Sequence, residues 1–124
     1  MYTVYLADDE QLIREGLAET IPWESLRMRL VGTAEDGRHA LRGIREHKPD
    51  IVLTDIRMPY LDGLELIGKI REVHPSCRVV IISGHGEFTY AQSAIQLGVS
   101  DFILKPVDVT SLCRTLGKLT RELD

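Results

Sequence analysis

Four acidic or basic positions and one hydroxyl stand where they could do chemistry together. Asp8 and Asp9 follow the apolar run Tyr2 to Ala7, Asp55 follows Ile51 to Thr54, Ser83 closes Arg78 to Ser83, and Lys105 with Pro106 follows Asp101 to Leu104. Three carboxylates brought within several ångströms repel one another by a few kcal/mol at an effective dielectric of about 20, so such a set demands a compensating cation. A hard divalent ion meets the demand: Mg²⁺ takes one or two carboxylates, keeps waters and accepts phosphate oxygens. The ammonium of Lys105 adds a compact second positive charge. A carboxylate nucleophile, a metal, a lysine and a hydroxyl are together the parts of phosphoryl transfer, in which positioning and charge neutralisation do most of the catalysis. Singly, each residue has a blander reading: the acid pair starts a helix, Asp55 starts a turn, Ser83 ends a strand, Lys105 is a solvated charge. The joint reading prevails because four separate strand ends carry the polar groups that one phosphoaspartate site requires.

Those strand ends need a frame. The candidate strands are Tyr2 to Ala7, Arg29 to Ala34, Ile51 to Thr54, Arg78 to Ser83 and Asp101 to Leu104, apolar on both faces as a covered parallel sheet requires. Between them, Leu12, Ile13, Leu17 and Ile21, then Ala40, Leu41 and Ile44, then Leu64, Ile67 and Ile70 recur at helical spacing. Ala91, Ala94, Ile95 and Leu97 mark a thinner fourth helix, and Leu112, Leu116, Leu119 and Leu123 a strong fifth. These stripes read as core. Asp62 and Glu65 have capping-box spacing, Gly98 follows a helix, and Asp108 stands where a cap is needed. Strict β-α alternation predicts a three-layer α/β sandwich with right-handed crossovers over one domain, residues 1–124. In such a sheet ligands bind beyond the carboxyl ends of the strands, where all the residues named above fall.

Composition narrows the function classes. The chain has 124 residues, 44% hydrophobic and 27% charged, as a folded globular domain does. A net charge of −4 repels DNA phosphates, so the domain itself is not expected to bind DNA. Cys77 and Cys113 form no C-x-x-C pair, which argues against zinc and against a disulfide framework. The N-terminus is wrongly built for a signal peptide and no apolar stretch approaches a membrane span, so a cytoplasmic location is expected.

The segments Leu6-Ala7-Asp8-Asp9-Glu10, Thr54-Asp55-Ile56-Arg57-Met58-Pro59 with Asp62-Gly63, Ser83-Gly84 and Lys105-Pro106 resemble the receiver domains of two-component response regulators, and the likeness spans the chain. The resemblance implies a flavodoxin-like sheet of order 2-1-3-4-5 with five helices. It implies that Asp55 is the phosphoacceptor and that Mg²⁺ is held by Asp8, Asp9, Asp55 and the backbone carbonyl of Arg57. Ser83 and Lys105 would bind the phosphoryl group, Ser83 and Phe102 would form the switch, and the Lys105-Pro106 bond would be cis. Arg57 and His85, two residues beyond Asp55 and Ser83, would border the path of the hydrolytic water and modulate the hydrolysis rate. The implied partner is a sensor histidine kinase, with a possible homodimer on phosphorylation and no membrane. A finer likeness, in Pro22-Trp23-Glu24 and in Ser83-Gly84-His85-Gly86-Glu87-Phe88-Thr89-Tyr90-Ala91, points to bacterial receivers joined to AraC-type helix-turn-helix domains. Because the stripes end at Leu123, transcription control and DNA contact are expected only through an output domain outside these residues. Tyr60-Leu61 departs from the family, which often has a small residue and a methionine there.

Two other readings use similar parts. A haloacid dehalogenase-like phosphatase also has a strand-end aspartate nucleophile, a hydroxyl, a lysine and Mg²⁺, but needs a second acid two residues on, where this chain has Arg57. A flavin-phosphate module needs a loop after the first strand rich in Ser, Thr and Gly, and Asp8-Asp9-Glu10 would repel that anion.

Overall fold

A sheet whose strands are apolar on both faces must be covered on both, and the two sets of alternating residues fill two separate cores. The computed structural model describes the backbone of residues 1–84 and 88–124, and the side chains of these except at 88–91. Its strands are β1 (Tyr2–Ala7), β2 (Met28–Ala34), β3 (Ile51–Asp55), β4 (Arg78–Ser83) and β5 (Asp101–Leu104). All pairings are parallel and the order is β2-β1-β3-β4-β5, the predicted flavodoxin-like topology. The helices are α1 (Gln11–Thr20), α2 (Gly37–His47), α3 (Gly63–Val73), α4 (Phe88–Gln96) and α5 (Val109–Leu123), with one 3-10 turn at Glu24–Leu26.

Val4, Leu6, Leu53, Val80 and Ile82 point to one face, where Leu17, Leu112, Leu116 and Leu119 cover them. Tyr5, Ala7, Val52, Val79 and Ile81 point to the other, under Ala40, Ile44, Leu66, Ile67 and Ile70. Among the described residues two stripe members do not join these cores, Leu12 at 87% exposed and Ile95 at 72%, and the side chain of Ala91 lies outside the described residues. On α1 the face of Leu17 turns inward, and Leu12 stands off that face beside the chain that leaves β5, where it lines a cleft with Pro106, Val107 and Val109. Ala94 is a buried residue of α4, and its neighbour Ile95 faces away from it.

Helix boundaries follow the side chains that satisfy the first free N–H groups. Asp62 accepts from the Glu65 amide at 2.9 Å while Glu65 Oε1 accepts from the Asp62 amide at 3.3 Å, the predicted capping box. Asp108 caps α5 through the Thr110 amide at 3.0 Å. Asp36, which the sequence reading leaves without a role, caps α2 through the His39 amide at 2.9 Å. Gly98 follows α4 at φ +73°. The guanidinium of Arg71, in the last turn of α3, donates to four carbonyls: Pro75, Cys77, Leu97 and Gly98, at 2.6–3.1 Å. It thereby ties the ends of α3 and α4 to the start of β4.

Candidate functional site

Parallel pairing carries the carboxyl ends of β1, β3, β4 and β5 to one rim, and this brings the chemistry-bearing residues together. Asp55 is the last residue of β3, and Ser83 and Leu104 are paired ends of β4 and β5. Asp8 and Asp55 are both buried, and Asp9 is exposed. Carboxylate oxygens of Asp8, Asp9, Glu10 and Asp55 all lie within 4.8 Å of one another.

Lys105 reaches into this group. Its Nζ donates to Asp55 Oδ2 at 2.9 Å and to Glu10 Oε1 at 2.8 Å, and lies 3.3 Å from Asp8 Oδ2. The side chain is only 12% exposed, so the ammonium sits with three acids in a poorly solvated place. Burial alone would lower its pKa, but the hydrogen bonds to Glu10 and Asp55 and the charges of Asp55 and Asp8 outweigh it and raise the value. Asp55 Oδ1 accepts from the Ile56 amide at 2.7 Å, which fixes the carboxylate plane. Asp8 Oδ1 accepts from the Glu10 amide at 2.9 Å, and the Asp8 carbonyl accepts from Arg14 Nη1 at 2.8 Å. These bonds hold the acidic loop after β1 in place.

Burial pushes the Asp8 carboxyl up to about 6, with the Asp55 charge adding to the rise. Burial and the Asp55 charge likewise raise Asp9. The group is thus short of positive charge even with Lys105 present. Asp8 Oδ2 is buried and makes no hydrogen bond, its contact with Lys105 Nζ at 3.3 Å being an ion pair without hydrogen-bond geometry. An all-oxygen donor set with one unsatisfied buried carboxylate oxygen fits a hard divalent cation. The cluster could hold a metal ion.

Other predicted residues have definite places. Arg57 is exposed and lines a cleft of about 410 Å³ with Asp9, Met58, Pro59 and Asp62. Ser83 is buried with its Oγ donating to the Gly84 carbonyl at 3.4 Å, and its own carbonyl accepts from the Lys105 amide at 2.8 Å. Phe102 is half-buried against the core covered by α2 and α3. Lys105-Pro106 is cis. His85 lies outside the described residues. Glu10 is an addition, since only its place in a motif marks it in the sequence; its one readable signal is its position directly after Asp8-Asp9 at the same rim.

Among the described residues, no helix is long and apolar enough to cross a membrane.

Comparison with known proteins finds relatives over nearly the whole chain. Among curated relatives, an uncharacterised transcriptional regulatory protein, YesN of Bacillus subtilis, is 44% identical over 123 residues, 99% of this chain and 33% of that protein. The transcriptional regulatory protein HptR of Staphylococcus aureus is 44% identical over 123 residues, 99% of this chain and 48% of that protein. The chain therefore spans a third to about half the length of these relatives. The receiver (REC) domain of AraT, a response regulator from Geobacillus stearothermophilus, superposes with a TM-score of 0.94 at 43% identity, over 98% of this chain and 95% of that one. A two-component transcriptional regulator AraC from Clostridium phytofermentans superposes with a TM-score of 0.88 at 32% identity, over 98% and 94%. The haloacid dehalogenase reading finds no support in these matches. The pattern of the response regulator receiver domain matches residues 4–117, and with relatives this similar over nearly its whole length the chain belongs to that family.

Proposed function

We propose that residues 1–124 act as one phosphorylation switch in which Asp55 receives a phosphoryl group from a phosphohistidine of a sensor histidine kinase. The observation that carries this reading is the Lys105 ammonium on Asp55 Oδ2, inside a cluster of acids that includes a buried, unsatisfied oxygen of Asp8. An Asp55 carboxylate oxygen attacks phosphorus, the P–N bond breaks, and the leaving imidazole keeps the bonding pair and takes a proton from solvent. The Ile56 amide holds the carboxylate plane during attack, and Lys105 balances charge on the phosphoryl oxygens. Asp8, Asp9, Asp55 and the Arg57 carbonyl would hold Mg²⁺, which supplies charge neutralisation at the transferring phosphoryl group. The domain thereby assists its own phosphorylation and dephosphorylation without turning over a foreign ester.

Ser83 is the hydroxyl that gains a new acceptor when Asp55 is phosphorylated, and Phe102 is the aromatic whose packing responds. The surface of α4, β5 and α5 carries the change, through homodimerisation or an attached DNA-binding domain, to transcription in the cytoplasm. Arg57 and His85 set how long the phosphoryl group survives. The direct test is intact mass after incubation with acetyl phosphate and Mg²⁺: the native chain gains one phosphate and Asp55→Asn gains none. Full phosphate on Asp55→Asn would remove the assignment.

A further inference from the structure

The face of the molecule formed by α2 and the loop after β3 is built like a protein-recognition surface, and the proposed switch makes no use of it. Helix α2 and its caps carry Arg38, Arg42, Arg45 and Lys48 against two acids, Asp36 and Glu46, in a chain whose net charge is −4. Arg38, Arg42 and Arg45 follow i, i+4, i+7 spacing, so they share one side of the helix. All three are exposed, and among the described residues none has a carboxylate within 4 Å. With the half-buried Leu41 and Leu61 they line a depression of about 400 Å³. Tyr60 stands at its edge, 75% exposed, with the Arg38 guanidinium over its ring at 5.6 Å from the centroid.

This patch is held in shape before anything binds. Tyr60 sits at φ +69°, a left-handed backbone that an aromatic residue adopts only when its neighbours impose it. The imposing contacts are visible. The Gly37 amide donates to the Pro59 carbonyl, the Leu61 amide bonds the same carbonyl at 2.8 Å, and the Leu61 carbonyl packs so close to Gly37 that a Cβ there would lie 1.8 Å away. The loop is therefore locked onto the first turn of α2, and ordering it on binding costs little.

We infer that this surface docks an acidic, amphipathic segment of a partner protein, whose carboxylates pair with the three arginines while an apolar side chain fills the depression over Leu41 and Leu61. Charge complementarity selects the occupant: unpaired guanidiniums favour bidentate carboxylates, and arginine and tyrosine beside an apolar hollow are the residue types that dominate protein interfaces. A nucleic-acid backbone or an anionic membrane would satisfy the arginines but leave the apolar floor over Leu41 and Leu61 unused.

The test titrates the ¹⁵N-labelled chain with the synthetic peptide acetyl-Glu-Asp-Glu-Leu-Phe-Glu-Asp-Leu-amide and follows backbone amide shifts. Saturable shifts are expected on α2 and residues 59–62. Affinity should fall about tenfold or more when Arg38, Arg42 and Arg45 are all replaced by alanine, and severalfold in Tyr60→Ala. Because these side chains are exposed, the spectra of both variants should otherwise retain the native dispersion. A version of the peptide with every acid replaced by lysine should shift nothing. No saturable shift at millimolar peptide, shifts centred elsewhere, or unchanged affinity in the triple variant would each overturn the proposal. Equal or tighter binding of a short DNA duplex or of phosphatidylglycerol vesicles to the same residues would also overturn it, and would reassign the face to polyanions.

Discussion

Asp8 is fully buried at the rim, and its Oδ2, 3.3 Å from Lys105 Nζ, makes no hydrogen bond. Its carboxyl is pushed up to about 6, above the ordinary carboxylate range, first by burial and then by Asp55. A raised folded-state value means that, between about pH 4 and 6, the folded chain holds more proton than the unfolded one. Without metal, the contribution of Asp8 to stability is therefore present at acid pH and lost as the pH rises to about 6. Metal binding runs the other way, since the cation must displace that proton: Mg²⁺ affinity should rise about tenfold between about pH 5 and pH 7.5 and then level off. Calorimetric titration at the two pH values checks this, and a flat profile would show that Asp8 is not a ligand. Arg57 gives a second prediction. Its long, donor-rich side chain is suited to lie over the phosphoryl group and exclude in-line water. Arg57→Ala, alone or with His85→Ala, should then lose phosphate faster once the donor is removed. Unchanged release would show that neither residue affects hydrolysis, and slower release would make Arg57 an accelerant.

At the scale of elements, the site depends on how closely the loop after β3 folds back on its own strand. The Gly63 amide donates to the Ile56 carbonyl at 2.6 Å, and a Cβ on Gly63 would meet the Asp55 carbonyl oxygen at 2.3 Å and Ile56 Cα at 2.8 Å. Both are backbone atoms and cannot step aside. Gly63→Ala should cost about 2–3 kcal/mol, visible as a lower urea midpoint, and should slow phosphorylation of Asp55 more than the stability loss alone explains. Normal stability and normal phosphorylation would contradict the close approach. The elements themselves were readable from residues such as Asp62, Glu65 and Asp108, whose capping roles are local and need no tertiary knowledge. Leu12 and Ile95 fit the core stripes by spacing yet stand exposed, because periodicity gives the angle between side chains but not which apolar edge faces the sheet. Glu10 was missed for a different reason: its partner Lys105 is 95 residues away, and only the sheet order brings them together. Asp36 was a local cap signal left unread.

Across the whole molecule, paired strands β4 and β5 join the rim to the residues around Phe102. Ser83 is buried at the end of β4, hydrogen-bonds Lys105 through its backbone, and pairs with Leu104 two residues beyond Phe102. A hydroxyl that contacts the phosphoryl group shifts the domain only through interactions that differ between the two states. Ser83→Ala should therefore accept phosphate on Asp55 while losing the amide shift changes that phosphorylation produces along β5 and around Phe102. Native-like changes in the phosphorylated variant would remove Ser83 from the switch. Arg71 then sets the mechanics of any such change. Its guanidinium pins the turn after α4 to α3 and β4 by four carbonyls, so α4 is clamped at its C-terminal end. Nine residues give it a length of roughly 13 Å, so a tilt of about 10° about the clamp moves the far end by about 2 Å and the clamped end hardly at all. Should phosphorylation of Asp55 tilt α4, displacement would be graded along the helix, greatest toward the strand ends that carry Asp55 and Ser83 and smallest at the fulcrum, so that a small event there would become a directed swing.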